Sequence, residues 1–404
     1  MMSVKEMNNQ EQGSIFEVFW TAFKLGLTSF GGPIAHLGYF REAYVKRLKW
    51  LDEKTYVDLV ALCQFLPGPA SSQVGIGIGL LRAGVLGSIA AWIGFTMPSV
   101  IALIVFAYAV GGFDIANQGW LHGLKLVAVA IVAQAVWGMM KAHAPDRTRG
   151  TIAIVATIFA LLFSYVFTQV MIIILAGIFG WFFLSKSVQT QTTNIKIPIR
   201  RFTAVTSLVI FAALLVLLPI LTVVYPTFLL SLFDSFYRVG SLVFGGGHVV
   251  LPLLESEVVN PGWVTNDQFI AGYGATQAVP GPLFTFSAYL GAVMDTGTHA
   301  VIVALVAVIA IFLPSFLLVI GTMPFWNVIR QKKHFQSALM GINAAVVGIL
   351  LAALYDPVWT SSVNNMYDFV LVIITFSLLM LWKLPPWMVV VVSAIGGSII
   401  GWLI

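Results

Sequence analysis

Two kinds of short motif, each occurring twice, interrupt long apolar stretches of this chain. The first kind reads Phe30-Gly31-Gly32-Pro33 and recurs as Phe244-Gly245-Gly246-Gly247, which His248 follows. The second kind reads Pro67-Gly68-Pro69 and recurs as Pro280-Gly281-Pro282. A helix that opens just after such a break points free N–H groups and a positive dipole end at the gap. The motifs therefore predict a site for an anion, whereas close helix packing and kinks are the alternative.

Three basic residues stand inside apolar segments, where an unpaired charge is costly. Lys24 and Arg238 each precede the phenylalanine of a glycine motif by the same distance along the chain. We expect both to approach one central axis and to form a cradle for a dianion. Snorkelling to the lipid headgroups or an ion pair with Glu17 or Asp234 are the alternatives. Lys125 is the third cation, and both an anion-path role and a structural pair remain open for it.

Polar side chains flank the proline motifs. Ser71 and Ser72 follow the first motif, and Thr285 occupies the position of Ser72 after the second. Their hydroxyl groups either cap a helix start or bind an oxyanion. Gln64 and Gln277 precede the two motifs at matching positions, and they either bind the substrate or hold the broken backbone. All five residues are candidates for substrate binding.

The motifs belong to a tandem duplication. Residues 19–33 match residues 233–247, and residues 50–69 match residues 263–282. Further landmarks follow in the same order, namely Pro98-Ser99 with Pro314-Ser315 and Gly123 with Gly341. An ordered set of this kind indicates two structural repeats.

The chain divides accordingly into four parts. We assign residues 1–13 to a cytoplasmic tail and residues 14–185 to the first repeat. Residues 186–225 form a basic linker with one extra apolar segment, and residues 226–404 form the second repeat.

The composition indicates a membrane protein. Of the 404 residues, 59% are hydrophobic and 9% are charged, against about a quarter charged in soluble domains. The basic residues form short clusters between apolar segments, which is a loop pattern and not a nucleic-acid footprint. The single cysteine, Cys63, excludes an internal disulfide and a multi-cysteine metal site. Since no metal-ligand spacing, phosphate loop or nucleophile motif occurs, we expect no metal, no cofactor and no enzymatic activity.

The loop charges predict that the repeats have opposite orientations. Residues 41–54 carry five Lys or Arg residues and the matching 254–268 carry none; residues 141–150 carry three and the matching 356–366 none. The bias is reversed between residues 111–119 and their basic counterpart near 327–334. A membrane crossing by the extra segment would produce this reversal. The N-terminus is then cytoplasmic and the C-terminus external.

The predicted fold is an all-α polytopic membrane protein of two inverted-topology repeats with broken or re-entrant helices. We expect residues 151–185 and 367–403 to form short, tilted hairpins that face the lipid. The predicted helices span 14–29, 33–48, 53–66, 70–81, 84–110, 119–141, 151–163, 168–185, 203–223, 226–243, 248–258, 266–279, 283–294, 298–322, 333–355, 367–382 and 386–403.

At these motifs the sequence resembles the CHR family of chromate ion transporters in its long, two-domain form. The resemblance lies in LTSFGGPIAHLGYFREAYV, CQFLPGPASSQVGIGIG, GFTMPSV and GLKLVAVAIVAQAV in the first repeat. In the second repeat it lies in VFGGGHVVLPLLESEVV, GYGATQAVPGPLFTFSAYLGA and FLPSF. The resemblance implies a multi-pass carrier of the bacterial inner membrane that exports chromate, confers chromate resistance and uses the proton motive force. One departure is that Gly247 stands where the first motif has Pro33.

We therefore predict a secondary transporter of a tetrahedral oxyanion, chromate above all, with its site where the two sets of motifs face each other. Sulfate or another oxyanion as substrate and a passive anion channel are the alternatives. A chromate reductase would need redox ligands that one cysteine and scattered histidines do not provide. We expect membrane lipid to surround the protein, and the sequence leaves open whether it forms a homodimer.

Overall fold

The computed structural model describes residues 13–111, 118–163, 166–184, 199–244, 246–294, 299–329 and 332–403. These residues form helices and no strand, which confirms the predicted all-α class. Several helices are long and apolar enough to cross a membrane, which fits the predicted polytopic membrane protein. These candidate spans are Ala70–Val110, Gly119–His143, Arg201–Val224, Ala300–Phe325 and Lys333–Trp359.

The first repeat contains seven helices within its described residues. They are α1 (Ile15–Thr28), α2 (Gly32–Phe40, continued by a π-helix at Arg41–Arg47), α3 (Glu53–Phe65), α4 (Ala70–Val110), α5 (Gly119–His143), α6 (Arg147–Leu162) and α7 (Val166–Phe183). Helix α8 (Arg201–Val224) is the extra apolar segment between the repeats.

The second repeat follows the same order of helices. It contains α9 (Phe228–Leu242), a 3-10 helix at Gly247–Val249 that leads into α10 (Val250–Val258), α11 (Asn266–Thr276), a 3-10 helix at Leu283–Thr285 before α12 (Phe286–Val293), α13 (Ala300–Thr322), a 3-10 helix at Met323–Phe325, α14 (Trp326–Ile329), α15 (Lys333–Ala353, continued by a π-helix at Leu354–Trp359), α16 (Met366–Met380) and α17 (Pro386–Leu403).

Side-chain caps fix several helix starts. Asp52 accepts a backbone hydrogen bond at the start of α3, and a capping box between Thr265 and Gln268 starts the matching helix α11. At α6 the backbone N–H of Arg149 donates to Asp146 (2.9 Å) and lowers the pKa of that carboxyl group.

Helix α4 folds back on itself near its first third. Ala83 and Gly84 have non-helical backbone angles, with a φ of 66° at Gly84. A Cβ atom on Gly79 would collide with the carbonyl oxygen of Gly87, although eight residues of straight helix span about 12 Å. The chain therefore reverses here, and the break lies between the separately predicted helices 70–81 and 84–110.

The two repeats exchange their C-terminal hairpins. Helices α6 and α7 of the first repeat pack against α15 of the second, whereas α16 and α17 pack against α5 of the first. Small residues permit this contact, since Gly341 abuts Ala176 and Gly123 abuts Ser393. The outer sides of both hairpins carry exposed apolar side chains, as expected of a lipid-facing surface. Their inner sides cover the opposite repeat, an arrangement that the sequence had not indicated.

Candidate functional site

The proline motifs join the two repeats through reciprocal hydrogen bonds. The N–H of Gly68 donates to the carbonyl oxygen of Val243 (2.7 Å), and the N–H of Gly281 donates to that of Ser29 (2.9 Å). Val243 and Ser29 directly precede the glycine motifs of their repeats. Each repeat thus holds the other by the same bond, as a two-fold relation requires. Inversion across the membrane rests on the loop charges and stays a prediction.

The serines of the two Pro-Ser pairs add hydrogen bonds to the same contacts between the repeats. Ser99 donates a hydrogen bond to the carbonyl oxygen of Pro280, and its counterpart Ser315 lies 3.5 Å from Nε2 of Gln73, beside Gly68. The proline motifs therefore serve as contacts between the repeats. Their residues do not line the cavity described next, contrary to the expectation for Pro67, Gly68, Pro69, Pro280, Gly281 and Pro282.

The glycine motifs of the two repeats meet at one cavity of about 350 Å³. Its floor is formed by residues on either side of the helix breaks, namely Gly31, Gly32, Pro33, Gly246, Gly247, His248 and Gln277. The remaining wall comes mainly from α5, with Ile131, Gln134, Ala135, Gly138, Met139, Ala142 and His143, and from Pro386 of α17. The structure thus brings together the two motifs that lie more than half of the chain apart.

Glycine is required at these breaks by the backbone. Gly31, Gly32 and Gly246 have φ values of 97°, 78° and 140°, in the region that side chains disfavour. Pro33 occupies the first turn of α2, where its missing N–H is not needed. The first N–H groups of a helix have no partner within it. Two helix starts, one from each repeat, therefore lie at the cavity, and the positive dipole end of a helix start favours an anion.

Gln277 and His248 add side-chain donors to these backbone groups. Nε2 of Gln277 is buried and has no hydrogen-bond partner among the described residues. Nδ1 of His248 lies 2.7 Å from the hydroxyl group of Tyr273, which fixes the imidazole ring. Among the described residues, the lining includes no carboxylate. The cavity can therefore accept an anion through neutral donors.

Arg238 does not supply a free charge to this cavity. Its guanidinium group lies 3.1 Å from Asp234 and 3.0 Å from Glu257, and both carboxylates are buried. Arg238 is absent from the cavity lining. The structure places Arg238 in the ion pair with Asp234 that the sequence had left as the alternative to the cradle.

Lys24 differs from its repeat counterpart. Its side chain is exposed, lies over the ring of Trp20 at 5.6 Å from the centroid, and has no ion-pair partner among the described residues. Trp20 and Ala43 occupy the positions of Asp234 and Glu257 in the first repeat. Lys24 is also absent from the cavity lining, so the structure does not bring the two cations together there.

Lys125 forms a structural pair. Its Nζ atom donates to Asp267 of the second repeat at 2.6 Å, and its side chain is almost fully buried. The pair joins α5 to α11, away from the residues that line the cavity. Of the two alternatives for Lys125, the structure places it in the structural one.

The polar residues near the proline motifs lie in different environments. Gln64 is exposed and outside the cavity lining, unlike its counterpart Gln277. The Thr285 hydroxyl group donates to the carbonyl oxygen of Pro282 (2.7 Å), a bond within the first turn that does not cap the helix start. Ser71 lies 3.3 Å from Nδ1 of His36. Ser72 is buried, and its hydroxyl group has no partner among the described residues.

The motif phenylalanines pack against other side chains. Phe30 contacts Trp387 of α17, with ring centroids 6.3 Å apart. Phe244 packs against the larger hydrophobic core. Neither lines the cavity, and Gly245 lies outside the described residues.

The wall contributed by α5 was missed by sequence reasoning. Gln134 and His143 line the cavity, and both belong to a helix in which only Lys125 had been considered. A polar Gln134 within an apolar helix was the available signal.

Comparisons with known proteins agree with this architecture. The chain is 27% identical to a probable chromate transport protein of Synechococcus elongatus, over 93% of each chain. It is 26% identical to a chromate transport protein of Pseudomonas aeruginosa, over 84% of this chain and 80% of the relative. It is also 26% identical to an uncharacterized transporter of Methanocaldococcus jannaschii, over 86% of this chain and 85% of the relative.

No solved structure matches the chain. The sequence model of the chromate transporter family matches residues 16–181 and 230–398, which correspond to one match in each repeat. The family consists of transporters and not enzymes, and its match supports a role in chromate transport. The chain is therefore a multi-pass membrane protein that belongs to the chromate transporter family.

Proposed function

We propose that this protein is a secondary active transporter that moves chromate out of the cell across the bacterial inner membrane and so confers chromate resistance. The observation that carries the proposal is the cavity between the two glycine motifs. Helix starts from both repeats and the unpartnered Nε2 of Gln277 supply donors there. A tetrahedral dianion can accept several hydrogen bonds at once, so it suits donors that converge from two sides.

The cavity extends from the glycine motifs toward one side of the membrane, so we expect the anion to enter or leave the site from that side. Its lining runs from the glycine motifs to Ala142 and His143 at the end of α5. This end lies within the basic segment 141–150, which the charge bias predicts to be cytoplasmic. We therefore propose that this conformation opens to the cytoplasm, and alternating access then requires one repeat to move against the other.

Lys24 remains a proposed contributor to this path. It precedes Gly31 by seven residues and is exposed without an ion-pair partner among the described residues. Such a cation attracts anions toward the broken helix. Arg238 is not proposed for the same role, because two acids bind it.

Sulfate is the second candidate substrate. Backbone and amide donors recognise charge and shape, which sulfate and chromate share. Competition of unlabelled sulfate with labelled chromate for uptake into vesicles separates the two. Selective chromate transport requires that excess sulfate leave the flux nearly unchanged.

The decisive experiment uses purified protein in liposomes with pH and voltage gradients imposed separately. We expect chromate to accumulate against its own gradient and the accumulation to collapse with a protonophore. Flux that only follows the chromate gradient, whatever the imposed pH or voltage, would identify a passive channel instead.

A further inference from the structure

A second, polar cavity of about 230 Å³ lies at the ends of α10 and α15, where these helices meet the tip of the α6–α7 hairpin. Glu255 and Asp356 contribute carboxylates to its lining, and Gln169, Asn260 and Asn266 contribute amide groups. Residues from both repeats therefore build one compartment. It is separate from the cavity at the glycine motifs, since the two share no lining residue.

The ionisable side chains that line this cavity are all acidic. Among the described lining residues there is no Lys, Arg or His to offset Glu255 and Asp356. Glu255 is partly buried, whereas Asp356 lies at the exposed rim and accepts a hydrogen bond from the hydroxyl group of Thr360 (2.8 Å). Two carboxylates that share a confined space repel each other and favour a cation between them.

Gln169 provides an independent sign of a ligand. Its side chain is 9% exposed, and its Nε2 donates to the carbonyl oxygen of Pro252 at 3.3 Å, which fixes the orientation of the amide. The remaining Oε1 atom is buried and has no hydrogen-bond partner among the described residues. A buried acceptor without a partner is costly, so this oxygen is left for a ligand that donates a proton or carries positive charge.

Comparison of the repeats shows that the acids are not a general feature of the fold. Five positions of α15 and the π-helix after it line the acidic cavity, and their counterparts on α5 line the cavity at the glycine motifs. At these matching positions Asp356 corresponds to Gly138, and Glu255 corresponds to Arg41 in the other repeat. The repeats have therefore diverged, one wall toward an anion and the other toward a cation.

The neighbouring charged groups are already paired. On α9 and α10, Asp234 and Glu257 bind Arg238. On α11, Asp267 binds Lys125. Glu255 and Asp356 thus differ from these acids, because no salt bridge neutralises either of them within the described residues.

We propose that Glu255, Asp356 and Gln169 form a binding site for a small monovalent cation, either Na⁺ or a proton, held by oxygen atoms. Oxygen-only ligands suit Na⁺, and the same acceptors can share a proton. A role of this cation as the coupling ion rests on the proposed function, whereas its binding does not.

The test measures the thermal stability of the purified full-length protein, because a ligand that binds the folded state raises the melting temperature. Stability is compared in NaCl and in choline chloride at equal ionic strength, over a series of pH values. Wild type is compared with Glu255→Gln, with Asp356→Asn and with the double variant. Glu42→Gln, which changes an exposed carboxylate that pairs with Lys46, is the matched control.

A stabilisation by Na⁺ of a few degrees that the double variant loses and Glu42→Gln keeps identifies a sodium site. A pH-dependent stabilisation without a Na⁺ response, again lost in the double variant alone, identifies a proton site. If the double variant responds to Na⁺ and pH as wild type does, the proposal is wrong. If Glu255→Gln does not fold, the single variant Asp356→Asn replaces the double variant in this test, because a substitution at the exposed Asp356 should not prevent folding. Because chromate flux is not the readout, failure of the proposed transport function leaves this result interpretable.

Discussion

At the scale of single residues, Gln277 offers the most direct test of the anion site. Its Nε2 atom is a buried donor without a partner among the described residues, and it lies beside the glycine motifs. Gln277→Glu keeps the size of the side chain but replaces this donor with a negative charge. Because like charges repel strongly in a confined site, we expect chromate affinity to fall by about tenfold or more.

Gln64→Glu is the matched control for this variant. Gln64 holds the corresponding position in the other repeat but is exposed and outside the cavity. Equilibrium binding of chromate to both purified variants measures the difference. Equal affinities for Gln277→Glu and Gln64→Glu would remove Gln277 from the site.

Arg238 should act through stability instead of substrate binding. Arg238→Ala leaves the buried carboxylates of Asp234 and Glu257 without their cation. We expect a loss on the order of 3 kcal/mol in the free energy of unfolding, measured as a lower melting temperature in detergent. Neutralising both acids together, by Asp234→Asn and Glu257→Gln, should restore much of this stability in the Arg238→Ala background. A restored protein that still cannot bind chromate would instead return Arg238 to the site.

Lys24 should act through its charge. Lys24→Ala removes an exposed cation that has no ion pair among the described residues, so we expect unchanged folding but slower chromate flux in liposomes. Lys24→Arg keeps the charge and should retain most of the flux. Wild-type flux in Lys24→Ala would show that this cation does not serve the anion path.

At the scale of helices, the sequence predicts the breaks because their cause is local. Glycine is needed where φ is positive, as at Gly31 and Gly246, and the Pro-Gly-Pro pattern disfavours a continuous helix, so both leave a visible signal. The exchange of hairpins leaves none, because it depends on packing between distant segments. The ion pair of Arg238 with Glu257 was missed for the same reason, as the acid lies on another helix.

Close contact between exchanged helices predicts a strict requirement for glycine at Gly341. A Cβ atom there would collide with the carbonyl oxygen of Ala176 on the opposite repeat. We expect Gly341→Ala to lower the melting temperature because α7 and α15 must separate. Gly150→Ala is the control, since nothing lies within 4 Å of its Cβ position and alanine favours helix by about 1 kcal/mol over glycine. A wild-type melting temperature for Gly341→Ala would contradict this packing.

At the scale of the whole molecule, the two repeats are joined by symmetric contacts, but the residues that line their cavities differ in chemical character. The bonds of Gly68 and Gly281 are reciprocal, so motion at one joint has an equivalent at the other. Yet Asp356 stands where α5 has Gly138. Two repeats joined by symmetric contacts can adopt two alternate conformations of similar energy. Because the two cavities are lined by different residues, different ions can shift the equilibrium between these conformations.

The orientation of this frame can be tested by cysteine labelling. Cys63 is fully buried, so Cys63→Ala provides a background without other thiols. Thr148→Cys and Asn364→Cys then place single exposed thiols in the matching loops 141–150 and 356–366. Because the basic loop is predicted to be cytoplasmic, a membrane-impermeant maleimide added to intact cells should label Asn364→Cys but not Thr148→Cys.

Labelling of both positions after the cells are broken open is the control for accessibility. If both thiols react in intact cells, or neither does, the repeats share one orientation, and the reciprocal contacts would then reflect an axis along the membrane normal. If only Thr148→Cys reacts, the repeats are inverted but the protein faces the other way. The cavity that reaches His143 would then open to the outside, and the proposed direction of chromate movement would have to be reconsidered from that geometry.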